Sequence, residues 1–188
     1  MLLVIGLTGL ASSGKDEFAN YLVKKYKFIK LVFSDILKEV AEKGGLLKNK
    51  SYEEQKYVFS QLGEELREET GNWAILAEKL IEKIKSGNFE KIVVDGFRSV
   101  EEVNLFKKNF ENFFLIFVDT DEKIRFARRK EEDPTIDIEE FRKRDQENIE
   151  VMGLGKVMGM ADFTINNDKE GLENLQKEID NLMKKISH

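Results

Sequence analysis

The chain has 188 residues, 41% of them hydrophobic and 36% charged, with a formal net charge of −5. That length suits one domain with a real core, and the acidic balance argues against a nonspecific nucleic-acid binder. Cysteine is absent and the single histidine is His188, the last residue, which excludes thiol catalysis, cysteine-based zinc sites and disulfides and leaves little room for histidine chemistry. Asp, Glu, Lys and Arg remain, the set that phosphoryl transfer uses.

"LLVIGL" (2–7) reads as a buried strand. The opening "MLLVIGLTG" has no basic flank and no small-residue cleavage site, so it is expected to start the fold rather than serve as a signal peptide. No apolar run reaches membrane-spanning length. The expected setting is the cytoplasm, with no membrane and no nucleic-acid partner; oligomeric state is left open. Phe18, Leu22 and Tyr26 share one face and predict a helix over 16–26. "FIKLVF" (28–33) is a second strand. "SDILKEVAEKGG" predicts a helix capped by Ser34 or Asp35 and stopped at Gly44 or Gly45. Two more helices follow over 51–70 and 72–86, split at Gly71. "KIVVDG" (91–96) is a third strand, 99–108 a helix, "FFLIFVD" (113–119) a fourth strand and 121–130 a helix. Past Pro134 come a helix near 138–150, a glycine-rich "GLGKVMG", a last strand "FTINN" (163–167) and a closing helix over 169–186. Near-continuous apolar strands separated by helices predict a three-layer α/β/α domain around a parallel sheet of about five strands.

"GLASSGKD" (9–16) matches the phosphate-binding pattern G-x-x-x-x-G-K-[ST] except at its last position. It sits between a strand and a helix, as that chemistry requires. Gly9 and Gly14 let the backbone curl around an anion, with Ser12 and Ser13 in the curl. The following helix adds its N-terminal partial charge, and Lys15 reaches the β- and γ-phosphates. An ordinary glycine turn is the bland alternative, but it gives the lysine no packing reason. The glycines do not form G-x-G-x-x-G, the third strand is followed by "DGFR" rather than the D-x-x-G of a GTPase, and "NNDK" does not supply N-K-x-D. Asp16 replaces the hydroxyl that normally meets Mg²⁺. It is either a metal contact, direct or through water, or a helix-dipole partner turned away from the phosphates.

The loop resembles that of the P-loop small-molecule kinases of the nucleoside monophosphate kinase group, some of which carry Asp after the loop lysine. "IFVDTDEKIRFARR", "FRKRDQ" and "ADFTINN" are similar to dephospho-CoA kinases and to archaeal relatives of them. "VVDGFRSVEEV" (93–103) looks more like the nucleotide kinases, and "FSDILKE" keeps the Asp that follows the second strand in both groups. Lys38 stands where nucleotide kinases often show Arg, and a lysine offers no bidentate clamp. The resemblance implies a P-loop NTPase fold, a helical acceptor-binding insertion over about 34–86 and a lid over about 129–158, all within one domain (1–188). It also implies that Asn167 touches the adenine and that Arg67 lies in the acceptor region.

Asp95 ends the third strand, where α/β sheets bind ligands. It is a candidate for positioning Mg²⁺ or the acceptor, or else a turn cap. Arg98 is a candidate acceptor ligand, or a solvated surface residue. Arg125, Arg128, Arg129, Arg142 and Arg144 flank the proline-broken segment. As lid residues they would neutralise charge on a transferring phosphoryl group; the alternative is a solvated face. Arg125 is assigned to the nucleotide, Arg128 and Arg129 to catalysis and Arg142 to the acceptor. Trp73 is expected to pack in the core before it stacks on a ligand. The expected activity is transfer of the γ-phosphoryl of Mg·ATP to a small nucleotide acceptor, a nucleoside or deoxynucleoside monophosphate. Two alternatives stay open. One is a dephospho-CoA kinase, in which Asp35 takes a proton from a ribose hydroxyl. The other is a nucleotide-binding switch without transfer.

Overall fold

A computed structural model describes residues 2–151 and 153–186, leaving the side chains of 52, 53, 56, 60 and 151 aside; His188 lies outside the described residues. The elements follow in the order β1 (Leu3–Thr8), α1 (Lys15–Tyr26), β2 (Ile29–Val32), α2 (Phe33–Lys43), α3 (Tyr52–Thr70), α4 (Ile75–Ser86), β3 (Lys91–Asp95) and α5 (Val100–Asn109). Then come β4 (Phe113–Asp119), α6 (Glu122–Glu132), α7 (Ile138–Gln146), a π-helical turn (Glu147–Val151), α8 (Leu154–Gly159), β5 (Phe163–Asn166) and α9 (Leu172–Ile186).

The sheet has 5 strands in the order β2-β3-β1-β4-β5, and every pairing is parallel. The three-layer α/β/α expectation holds, with apolar clusters on both faces. On one face Phe18, Leu22, Leu175 and Ile179 of α1 and α9 pack against β1 and β4. On the other, residues of α2, α4, α5 and α8 pack around Phe33, Phe97, Phe106 and Phe113. These rings meet at centroid distances of 4.9–6.3 Å, mostly edge-on or tilted, as aromatic quadrupoles prefer. Gly6 makes room for them: a Cβ there would come within 2.7 Å of Phe97 and 2.8 Å of Phe113. Among the described residues no helix is long and apolar enough to cross a membrane.

Local chemistry sets the boundaries and corrects several expectations. The helix expected to be capped by Ser34 or Asp35 begins instead at Phe33, directly from β2, with Val32 at the cap position and no side-chain cap. Burial of Phe33, Ile36 and Leu37 fixes this helix, so no capping side chain is required. Gly71 does separate two helices, in the left-handed conformation (φ 62°) that glycine adopts without cost. α4 then waits until Ile75, because Asn72 Oδ1 accepts from the Ala74 N–H and holds a turn. The helix expected near 138–150 keeps α-helical form to Gln146 and widens into the π-turn. The glycine-rich "GLGKVMG" contains α8. The last strand ends at Asn166, and the closing helix starts at Leu172, after Gly171 takes φ 92°.

Candidate nucleotide site at the carboxyl edge of the sheet

β1 lies between β3 and β4, so the strand order reverses there and the loop 9–14 opens at the carboxyl edge beside that switch point. Gly9, Ser12 and Gly14 have φ values of 144°, 58° and 98°, the left-handed region that glycine tolerates best. A Cβ on Gly9 would sit 2.6 Å from the Val118 carbonyl, and one on Gly14 would sit 2.3 Å from Asn167 Nδ2. The loop is therefore wedged against β4 and the end of β5.

Its carbonyls are held by neighbouring side chains. Lys15 Nζ donates to the carbonyls of Gly9 and Leu10, both at 2.8 Å. Arg125 Nη1 donates to Ala11 O and Arg128 Nη1 to Ser12 O, both at 3.3 Å. Thr120 Oγ1 and Asn167 Nδ2 both donate to Ser13 O at 2.9 Å. With these carbonyls engaged, the loop's amides are the backbone groups left to meet an anion. Ser13 Oγ and Asp95 Oδ1 are buried without a hydrogen-bond partner. Such orphans are rare in a finished core, and a ligand or an ordered water would satisfy them.

Lys15 and Asp95 form the electrostatic centre. Burial holds the Lys15 ammonium below its usual range, against the opposing charge of Asp95. Burial likewise pushes the Asp95 carboxyl up, against the pull of Lys15. Arg98 acts on both groups. Asp95 closes β3, in register with Leu7 of β1 and Val32 of β2, so it stands beside the loop on the β3 side. On the other side a cleft of about 510 Å³ runs between the loop, Arg128, Arg129, Asn167 and the start of α9 at Leu172. Lys15 thus has a roomy cleft on one hand and Asp95, on which Arg98 also acts, on the other.

The residues singled out from the sequence divide into three groups. Gly9, Ser12, Ser13, Gly14, Lys15, Arg128, Arg129 and Asn167 surround the loop. Asn167, implied to touch an adenine, instead directs its amide at the Ser13 carbonyl while its own carbonyl accepts from Arg128 Nη2 at 3.0 Å. Arg125, assigned to the nucleotide, is 4% exposed, and its donors go to Thr120 O, Ala11 O and Asp145 Oδ2. It braces the loop from behind. Arg129 borders the cleft but bonds Glu132 at 3.2 Å.

The second group lies on the β2–β3 side. Arg98 is exposed, and its backbone N–H donates to Glu102 Oε2 at 2.9 Å. Arg67 Nη2 lies 3.4 Å from Glu102 Oε1, which ties the long helix α3 to the N-terminus of α5. Asp35 is exposed in the first turn of α2. Trp73, expected in the core, is 48% exposed, with its carbonyl accepting from Ser99 Oγ at 3.4 Å. The link between α3 and α4 holds it outward.

The third group stands apart. Arg142 is engaged by Glu122 at 2.7 Å on the outer surface, and Arg144 by Glu140. Asp16, by contrast, borders the cleft beside Lys15, with its side chain 74% exposed and Oδ1 2.6 Å from Lys30 Nζ. Sequence reasoning missed Lys30, Thr120, Asp145 and Glu102. Glu102 was legible, since S-x-x-E at 99–102 is a capping-box pattern, and the box is present. Lys30 was legible as the lone charge within "FIKLVF". Asp145, one acid among many on a charged helix, carried no such signal.

The donor set fits a nucleotide polyphosphate. Lys15, the loop amides and Arg128 supply positive charge, and the cleft has room for a base and sugar. Asp95 and Asp16, whose charges act on Lys15, are carboxylates that suit Mg²⁺, which takes one or two carboxylates and fills its shell with phosphate oxygens and water.

Comparison with known proteins agrees. Residues 5–151 match the family described as an AAA domain. A UPF0200 protein of Sulfurisphaera tokodaii is 34% identical over 99% of this chain and 98% of its own length. One from Pyrobaculum aerophilum is 30% identical over 95% of each. Among solved structures, a shikimate kinase from Bacteroides thetaiotaomicron superposes with TM-score 0.63 at 11% identity over the full length of both chains. The shikimate kinase from Acinetobacter baumannii, solved with shikimate, gives 0.59 at 15% identity over 98% of this chain and 94% of its own. The fold is thus that of the P-loop kinases, and the chain belongs to the UPF0200 family and carries its AAA-type P-loop domain.

Proposed function

We propose that this protein is an ATP-dependent phosphotransferase, acting as a single P-loop kinase domain that passes the γ-phosphoryl of ATP to a nucleoside or deoxynucleoside monophosphate. One observation carries the reading. Lys15 lies between the 510 Å³ cleft on the α6–α9 side and Asp95, on which Arg98 also acts, on the β3 side. A donor nucleotide in the cleft and an acceptor beside Arg98 would meet at its ammonium.

In this reading the loop amides and Lys15 hold the β- and γ-phosphates. Arg128 neutralises charge as it spreads over the transferring group, and Arg129 is the second catalytic arginine. Asp95 and Asp16 would hold Mg²⁺, which would supply neutralisation of phosphate charge. Arg98 receives the acceptor, with Arg67, Trp73 and Asp35 as further residues of the acceptor side. The helices α2–α4 form the acceptor side, and the segment 129–158 forms the lid. Positioning and electrostatics account for the catalysis, since a phosphate acceptor is already ionised and needs no base.

A hydroxyl acceptor is the second reading, favoured by Asp35. Its carboxylate is exposed at the end of β2, on the acceptor side of Lys15, where it is free to take a proton. The test is ADP release from Mg·ATP with each nucleoside monophosphate, dephospho-CoA, shikimate and no acceptor. Strong stimulation by one monophosphate supports the first reading. Stimulation by a hydroxyl acceptor alone replaces it with the second. Tight ATP binding without stimulation by any acceptor favours a nucleotide-binding switch.

A further inference from the structure

Asp16 occupies the position where the loop pattern has a hydroxyl, and a bare carboxylate beside a polyphosphate is repulsive. The protein meets this with Lys30. Its ammonium lies 2.6 Å from Asp16 Oδ1, and its side chain is only 23% exposed, whereas that of Asp16 is 74% exposed. Lys30 stands in the middle of β2, opposite Val93 of β3, so the strand fixes its stem while α1 presents the carboxylate. An ion pair this open adds little to stability. Its effect falls on the site: Asp16 acts on Lys15 and Asp95, and Lys30 acts on Asp95.

We propose that Lys30 is the resident counter-ion of Asp16, that Mg²⁺ replaces it there, and that Lys30 thereby sets how strongly nucleotide binding depends on the metal. This rests on the reading of the loop as a nucleotide site. With Lys30 paired, Asp16 is neutralised and the loop accepts a metal-free nucleotide. Without Lys30, only the divalent ion can neutralise the carboxylate, and the nucleotide and the metal become more tightly coupled.

The experiment is calorimetric titration of ADP into the full-length protein, in EDTA and in saturating Mg²⁺, for wild type, Lys30→Met, Lys30→Arg, Asp16→Asn and the Lys30→Met/Asp16→Asn double variant. Methionine keeps the apolar stem, and circular dichroism melting checks folding. Lys30→Met is expected to weaken ADP about tenfold in EDTA and little in Mg²⁺. Lys30→Arg should stay near wild type, and the double variant should recover the metal-free affinity. Three results overturn the proposal: equal weakening with and without metal, which makes Lys30 a direct phosphate ligand; no change in either condition; or a double variant as weak as Lys30→Met. Absence of ADP binding by the wild type in both conditions overturns the nucleotide reading as well, so the two failures are distinct.

Discussion

Arg125 Nη2 and Asp145 Oδ2 lie 2.7 Å apart, with side chains 5% and 11% exposed. The pair joins α6 to α7, while the same guanidinium holds Thr120 O and Ala11 O and lies 5.2 Å from the Phe141 ring centroid. One residue thus fastens α7 to the phosphate loop. Removing one partner of a buried pair leaves the other charge unsatisfied. Asp145→Ala should therefore cost about 3–5 kcal/mol in urea unfolding, with Arg125→Ala comparable. Arg128→Ala, at the half-buried cleft wall, should cost under about 1 kcal/mol and weaken ATP instead. Equal stability losses at Arg125 and Arg128 would contradict this division.

This pair also shows where the sequence stops being informative. The strands, the loop and α1 were legible because strand periodicity and a spaced glycine–lysine motif are local signals. Arg125, Arg128 and Arg129 look alike along one helix. Only the packing of α7 makes the first a strut and leaves the others at the cleft. The strand order and the Asp145 partner are long-range facts, which no local pattern encodes. Trp73 inverted its expectation for the same reason: its size argued for burial, but the turn held by Asn72 placed it outside.

Gly14 tests the loop itself. Its φ of 98° already disfavours a side chain, and a Cβ would meet Asn167 Nδ2 at 2.3 Å. Gly14→Ala should cost about 1–3 kcal/mol of stability and release the Asn167 brace. ATP affinity, read by calorimetry, should fall at least tenfold. Wild-type affinity in this variant would show that the curl does not bind phosphate.

Asp95 gives a pH prediction. Burial raises its folded pKa above the ordinary carboxyl value, so the unfolded chain releases this proton at lower pH than the folded one. The folded state binds more protons in between, and stability from this group falls as pH rises from the unfolded pKa through the folded one. Asp95→Asn removes that loss. At pH 7 its Tm should rise by about 2–4 °C relative to wild type, while turnover is lost. At a pH below the unfolded value the gain should vanish. A lower Tm for Asp95→Asn at neutral pH would mean that Lys15 stabilises the carboxylate by more than burial costs.

Asp35 separates the two acceptor classes. It is exposed in the first turn of α2, at the carboxyl end of β2, where a carboxylate can either orient a ligand or accept a proton. A monophosphate acceptor supplies its own ionised nucleophile, so Asp35→Asn should keep kcat within a few-fold and raise the acceptor KM. A hydroxyl acceptor needs its proton removed as the bond to phosphorus forms. The same variant should then lose about 10²–10⁴ in kcat with ATP affinity unchanged. Steady-state kinetics with the best acceptor, alongside ATP binding by calorimetry, reads both quantities. The monophosphate reading fails if kcat collapses while the acceptor KM stays put, because only a proton-transfer role removes rate without removing binding.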